Sequence, residues 1–162
     1  MRWVNHKLVT LSVVYGLTGG VIASFSAMSG AHLPDMLEMK GLVKHRTYTH
    51  WIYPWGVMIL VLLGLLLWFK SWLIYIMFYV AIGGMLHLVE DFMSKSGLPF
   101  GHPEGKTFGL GLYITKGEGE EMTALGLAVL FGILAWGRGF FAGEHISGEI
   151  DSIGRLLRSF LH

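Results

Sequence analysis

Residues 51–91 read WIYPWGVMILVLLGLLLWFKSWLIYIMFYVAIGGMLHLVED. Two apolar runs, 51–69 and 72–89, are separated only by Lys70-Ser71. Crossing the hydrocarbon core of a bilayer takes roughly 20 apolar residues as a helix, and each run comes close to that. So short a connection permits only a tight turn, which predicts an antiparallel helical hairpin. The start of the first run and the end of the second then share one membrane face.

Working outward, residues 8–28 carry no charge, and residues 122–141 are apolar apart from Arg138. Composition agrees: 14% of residues are charged, where a soluble domain carries about a quarter. A net charge of +1 gives no concentrated basic face, which argues against a nucleic-acid partner. With no cysteine, disulfides, thiolate sites and Cys nucleophiles are excluded. The high glycine content suits closely packed membrane helices. Trp51, Trp55, Trp68, Trp72 and Trp136 fall near predicted segment ends, where indole rings favour the interface. The expected fold is all-α: an integral membrane protein with about four membrane helices and lipids as partners. A membrane domain covers 1–145 and a C-terminal helix covers 146–162. In that tail Ile146, Ile150, Ile153, Leu157 and Phe160 recur at helical spacing, with Arg155 and Arg158 elsewhere on the surface. The pattern predicts an amphipathic helix, lying on the membrane or packed on the protein. A chain this small is compatible with a homo-oligomer.

The first run has two readings. Arg2 and Lys7, an apolar run and the small residues of 23–31 resemble a signal peptide, taken here as retained. Gly16, Gly19 and Gly20 lie near its middle, so it is either one span or two shorter helices folded back. Only the second brings His6 to the shared face. It also puts eight of the twelve basic residues there, which points to a cytoplasmic side; a single span leaves six and a tie.

Two polar stretches, 29–50 and 91–121, meet at the shared face. In or beside them lie His32, His45, His50, His87 and His102, with Asp35, Glu38, Glu90, Asp91, Glu104 and Glu121; Glu118 and Glu120 read as solvated charges. Mixed imidazole and carboxylate sets bind divalent ions, and a water on such an ion becomes a nucleophile near neutral pH. His87-Leu-Val-Glu-Asp91 is the sharpest element, because a spacing of four puts both side chains on one helix face. Its plain alternative is a hydrogen-bonded pair that pins two helices. His45-Arg46-Thr47-Tyr48-Thr49-His50 is the second element: its histidines would not share a helix face, and Arg46 offers a bidentate fork to a phosphate. Its alternative is a basic loop on lipid headgroups. In Leu33-Pro34-Asp35, proline helps present Asp35 at a turn, though such a residue is often a helix cap. Residues 96–103 form a rigid, turn-rich loop, suited to a lid or a headgroup contact, and His102 is equally an ordinary loop residue. His145 and His162 are expected to stand apart.

The order His6, Leu33-Pro34-Asp35, His45-Arg46-x-x-Thr49-His50, then His87-x-x-x-Asp91 with Gly97-x-Pro99 resembles one family. It is the LexA-regulated, YdjM-like membrane-bound metal-dependent hydrolases, and the resemblance covers roughly residues 5–103. It implies a hydrolase of the bacterial inner (cytoplasmic) membrane, with a distant similarity to zinc phospholipase C-type enzymes. His6, His45, His50, His87 and Asp91 would then ligate one or more divalent ions, zinc foremost, with manganese or magnesium as alternatives. Asp35 would bridge or hold a second ion, Arg46 would steady a phosphate, and Glu38 or Glu90 would serve as general base. The substrate would be a phosphoester of a lipid or lipid-linked molecule. The family usually continues its Pro-Asp with a second aspartate two residues on, often followed by His, whereas Met36-Leu37-Glu38 stand here. The rival readings are a divalent-cation transporter, a bis-His haem protein and a non-catalytic membrane assembly subunit with a structural His/Asp site.

Overall fold

The structure is a computed structural model that describes residues 1–38 and 46–160. Among these, three helices are long and apolar enough to cross a membrane: α4 (Ile52–Phe69), α5 (Trp72–Met93) and α6 (Glu118–Gly137). The turn between α4 and α5 is as tight as its two residues demand. Lys70 adopts the left-handed conformation (φ 48°), its N–H closing on the Leu66 carbonyl, and extended Ser71 starts the return.

Residues 8–28 do not form a single span, so the expectation of about four membrane helices becomes three candidate spans plus a folded-back pair. α1 (Trp3–Thr18) stops at Gly19 (φ +67°), and α2 (Val21–Gly30) runs back. Glycine takes a positive φ at no steric cost, and a Cβ at this position would strike the Phe140 and His145 rings. The hairpin returns Ala31, just beyond α2, to the level of His6.

The ends of the bundle follow from a few polar ties. Glu120, on the first turn of α6, accepts from the Arg2 N–H (2.6 Å) and from Asn5 Nδ2 (2.7 Å). Arg138, just past the far end of α6, donates to the Gly16 and Leu17 carbonyls. Helices α1 and α6 are therefore parallel, α2 and α5 run opposite to them, and the described parts of both polar stretches lie at one end. Glu120 is fully buried, which overturns its reading as a solvated charge: three donors, the Lys116 N–H included, replace its water.

Small residues set the centre of the bundle. A Cβ added at Gly83 would lie 1.9 Å from the Ala27 carbonyl oxygen, and one at Gly30 2.0 Å from that of Val80, so α2 and α5 touch backbone to backbone. Trp55 is buried rather than interfacial. Its ring fills the space that Gly84 leaves open, and its Nε1 donates to the Thr49 carbonyl. The fold is not purely helical, since β1 (Leu98–Pro99) pairs antiparallel with β2 (Thr107–Phe108).

The C-terminal helix α7 is Gly143–Phe160, so the domain boundary expected at 145/146 falls inside it. Its first turns pack on the protein at the far end of the bundle. His145 Nε2 donates to the Gly19 carbonyl (2.9 Å), and the Val21 N–H donates to Glu149 (3.0 Å).

Candidate metal centre

Four separate pieces of chain deliver the site. The first turns of α1 supply His6, and the short helix α3 (Leu33–Met36), with proline near its N-terminus, supplies Asp35. A 3-10 turn, Tyr48–His50, supplies His50 just before α4. The last turns of α5 supply His87 and Asp91, one turn apart on one face. His6, His50, His87 and Asp91 are almost completely buried.

The donor atoms form a compact set. Asp35 Oδ1 lies 3.2 Å from His50 Nε2 and 3.5 Å from His87 Nε2, and the two Nε2 atoms are 3.2 Å apart. Zn–N bonds of about 2.0–2.1 Å place neighbouring ligand atoms of a tetrahedral ion roughly 3.3 Å from each other. The triangle fits that spacing. Asp91 Oδ2 lies 3.7 Å from His50 Nε2 and 3.8 Å from His87 Nε2, and its Oδ1 lies 3.7 Å from His6 Nε2. Asp35, His50 and His87 make one group able to hold a metal ion; His6, His87 and Asp91 make another.

Each imidazole is clamped from behind. His87 Nδ1 meets the Ala31 carbonyl at 2.7 Å, His50 Nδ1 meets Glu38 Oε1 at 3.1 Å, and His6 Nδ1 meets Glu90 Oε2 at 2.5 Å. The Ala31 carbonyl only accepts, so His87 Nδ1 is the protonated nitrogen and its neutral ring carries the lone pair on Nε2. His50 Nδ1, which also meets Thr49 Oγ1 at 3.0 Å, and His6 Nδ1 take the same tautomer when they donate to Glu38 and Glu90. All three Nε2 atoms point into the same small volume. Two lone pairs facing each other at 3.2 Å repel unless a cation or a proton lies between them. His6 Nε2 and Asp35 Oδ1 are buried without a hydrogen-bond partner among the described residues, and a buried polar atom left this way calls for an explanation. A metal ion supplies one, and the outer partners are those that orient metal-binding histidines.

Electrostatics point the same way. Burial pushes the Asp35 carboxyl up, but protons on the His50 and His87 rings, whose place and charge a bound cation would take, outweigh it and hold the group well below the usual carboxylate range. Asp35 Oδ2 accepts from Trp3 Nε1 (2.9 Å), which leaves Oδ1 for the centre. Arg46 Nη2 pairs with Asp91 Oδ2 at 2.9 Å while Nη1 donates to the Gly97 carbonyl, and the Met1 amine meets Asp91 Oδ1. Over these groups opens a cleft of about 340 Å³, lined by Asp35, Asp91, Thr115 and the cationic Arg2, Arg46 and Lys116, among others.

Of the residues expected from sequence, His6, Asp35, His50, His87 and Asp91 converge, and Arg46 stands at their edge. Glu38 and Glu90 lie behind the imidazoles of His50 and His6 and do not line the cleft. His45 lies outside the described residues. His102 is exposed, its Nδ1 accepting from the Glu104 N–H, and Glu121 pairs with Arg2 at the surface. His32 is close to Trp3 but belongs to neither ligand group. Sequence reasoning missed Trp3, Thr10 (bonded to Glu90) and the Ala31 carbonyl; nothing in the local pattern marks a backbone carbonyl as a histidine's partner. Because Glu38 orients rather than ligates, Glu38→Gln is expected to weaken metal affinity about 10–100-fold, the usual effect of losing an outer partner, without abolishing binding. Competitive titration against a chelator dye measures it.

No family model matches the chain, and no curated protein or solved structure does, so the functional argument rests on this cluster of side chains.

Proposed function

We propose that the chain is a membrane-embedded, metal-dependent hydrolase that cleaves a phosphoester of a lipid or lipid-linked substrate. The observation that carries the reading is the convergence of three imidazoles, each anchored through Nδ1, with two carboxylates under a cleft lined by cations. His50, His87 and Asp35 would hold a divalent ion, zinc foremost, with Asp91 and His6 completing that site or starting a second. Such an ion supplies Lewis acidity toward a phosphoryl oxygen and makes water a nucleophile near neutral pH.

The chain's own groups do the rest. Arg46, held by Asp91 and the Gly97 carbonyl, presents its guanidinium at the cleft and binds one phosphate oxygen. Glu38 and Glu90 fix the tautomer and tilt of His50 and His6, which makes them positioning residues rather than the general base. Asp35 and Asp91 are the carboxylates within reach of a proton in the cleft. The motif order shared with the YdjM-like membrane hydrolases supports the same assignment. The described basic residues on the site face, Arg2, Lys7, Arg46, Lys95, Lys106 and Lys116, outnumber Lys70, Arg138, Arg155 and Arg158 on the other. That balance favours the cytoplasmic side of a bacterial inner membrane. The position of the cluster at the end of the bundle argues against a transporter, whose ion site would sit near mid-membrane.

The test is phosphate release from phospholipids and simple phosphate esters by detergent-purified protein loaded with zinc or manganese. Turnover should disappear with a chelator, return with the ion, and show a KM raised at least about tenfold in Arg46→Ala, the loss of one charge-assisted bond. Stoichiometric metal without hydrolysis of any ester would leave a structural metal protein instead.

A further inference from the structure

Residues 108–114 run on from the end of β2, turning at Gly111 (φ +70°), and their side chains divide sharply. Phe108, Leu110, Leu112 and Ile114 are 62%, 58%, 60% and 66% exposed, whereas Tyr113 is buried against Val9 and Ala124. The backbone is tied to the end of α5: the Leu110 N–H donates to the Phe92 carbonyl, that of Leu112 to Met93, and that of Lys95 to Tyr113. Gly109 allows this approach, since a Cβ there would lie 2.2 Å from the Ser94 carbonyl oxygen.

The height of this ridge is informative. Asp91 stands nineteen residues beyond Trp72 on α5, about 29 Å along a helix, and the hydrocarbon core is about 30 Å thick. The ridge is bonded to Phe92, Met93 and Lys95, within four residues of Asp91 at the end of α5, and Tyr113 seats it against Val9 of α1 and Ala124 of α6. Beside it, α6 continues the apolar exterior with Met122, Leu125 and Val129. A contiguous exposed apolar surface of this kind marks an interaction site, and its continuity with the flank of a candidate span identifies the partner as lipid. Exposed Lys106 and Lys116 flank the ridge in sequence and exposed Lys95 is bonded to it through the Tyr113 carbonyl; long cationic side chains at such places reach headgroups. Thr115 and Lys116, directly after Ile114, line the cleft.

We propose that residues 108–114 form a membrane-inserted strap that holds the mouth of the cleft at headgroup depth, so that its phosphate comes sideways from a bilayer lipid rather than from water. The headgroup part rests on the hydrolase reading; the insertion does not. The absence of cysteine makes the depth measurable with single labels. Leu112→Cys, Leu125→Cys on α6 and Lys106→Cys would each carry an environment-sensitive fluorophore. The labelled full-length proteins would be reconstituted in phosphatidylcholine–phosphatidylglycerol vesicles with brominated acyl chains. The strap predicts that position 112 is quenched as strongly as 125 while 106 is not. Position 112 behaving like 106, and open to aqueous iodide, would overturn it. For the source of phosphate, manganese-loaded wild type is compared with His87→Ala by phosphorus relaxation. Wild type alone should relax phosphatidylglycerol more than phosphatidylcholine in the same vesicles, with added inorganic phosphate failing to compete. Relaxation of inorganic phosphate alone would overturn lipid entry. Failure to bind manganese would remove the headgroup part together with the hydrolase reading, and the depth result would stand independently.

Discussion

Replacing His87 with alanine is expected to strip the centre of metal and leave the protein folded. His87 belongs to both ligand groups, and its Nε2 lies within 3.2 Å of His50 Nε2 and 3.5 Å of Asp35 Oδ1. Among the described residues no neighbouring donor stands ready to take its place, because the two histidines beside it are already oriented by Glu38 and Glu90. Metal content by mass spectrometry should fall from about one or two ions per chain toward zero, far beyond the 10–100-fold weakening expected of an outer partner. The metal-free protein gives a second readout. An ion present at a hundred times its dissociation constant stabilises the folded chain by about 2.7 kcal/mol, so wild type should gain thermal stability on adding zinc while His87→Ala gains none. Truncation also removes the bond to the Ala31 carbonyl, but it relieves the lone-pair contact with His50, so the two metal-free proteins should melt close together. Equal metal content and an equal gain in the variant would sink the centre as drawn. Glu38→Gln, which removes only the charge behind His50, should weaken binding in part where His87→Ala abolishes it.

Much of this was legible in sequence, for identifiable reasons. The Lys70-Ser71 turn fixed the relative direction of α4 and α5, because so short a link has one topological outcome. The i, i+4 spacing put His87 and Asp91 on one face. Gly19-Gly20 marked where residues 8–28 can break, yet a glycine pair alone permits either a kinked span or a reversal. The decision is made by distant contacts, Phe140 and His145 against Gly19 and Ala27 against Gly83. In sequence Glu121 counts with the site, while Glu118 and Glu120 read as solvated. The Arg2 N–H, Asn5 and the Lys116 N–H converge on Glu120 alone and bury it, while Glu121 pairs with the Arg2 side chain at the surface. Trp55 carries the same interfacial signature as Trp51, and differs because Gly84 opens a ring-sized space beside it. What remained hidden was which residues stand behind which, since local periodicity records faces and not partners.

That dependence of the site on packing makes a second large effect. Gly83→Leu is expected to break the centre without touching a ligand. A Cβ at Gly83 would sit 1.9 Å from the Ala27 carbonyl oxygen and 2.7 Å from its carbon, so the obstacle is backbone and no rotamer change can clear it. Helix α2 has to move off α5. Overpacking of well-fitted interiors usually costs about 1–3 kcal/mol and sometimes more, and backbone against backbone belongs at the upper end. For a chain of this size a loss of 3 kcal/mol lowers the melting temperature by roughly 6–12 °C. The displacement travels along α2 to its C-terminal end, where the Ala31 carbonyl holds His87 Nδ1 at 2.7 Å. His87 then loses the contact that fixes its tautomer, and metal affinity should fall by at least the 10–100-fold typical of a lost outer partner. Gly64→Leu is the matched control, because Gly64 lies exposed on α4 with nothing within 4 Å of an added Cβ. It should keep both its melting temperature and its metal. If Gly83→Leu melted and bound like Gly64→Leu, the close approach of α2 to α5 would be wrong, and with it the route by which the folded-back pair positions the histidines. If it melted early yet kept full affinity, the Ala31 carbonyl would be shown not to matter to His87.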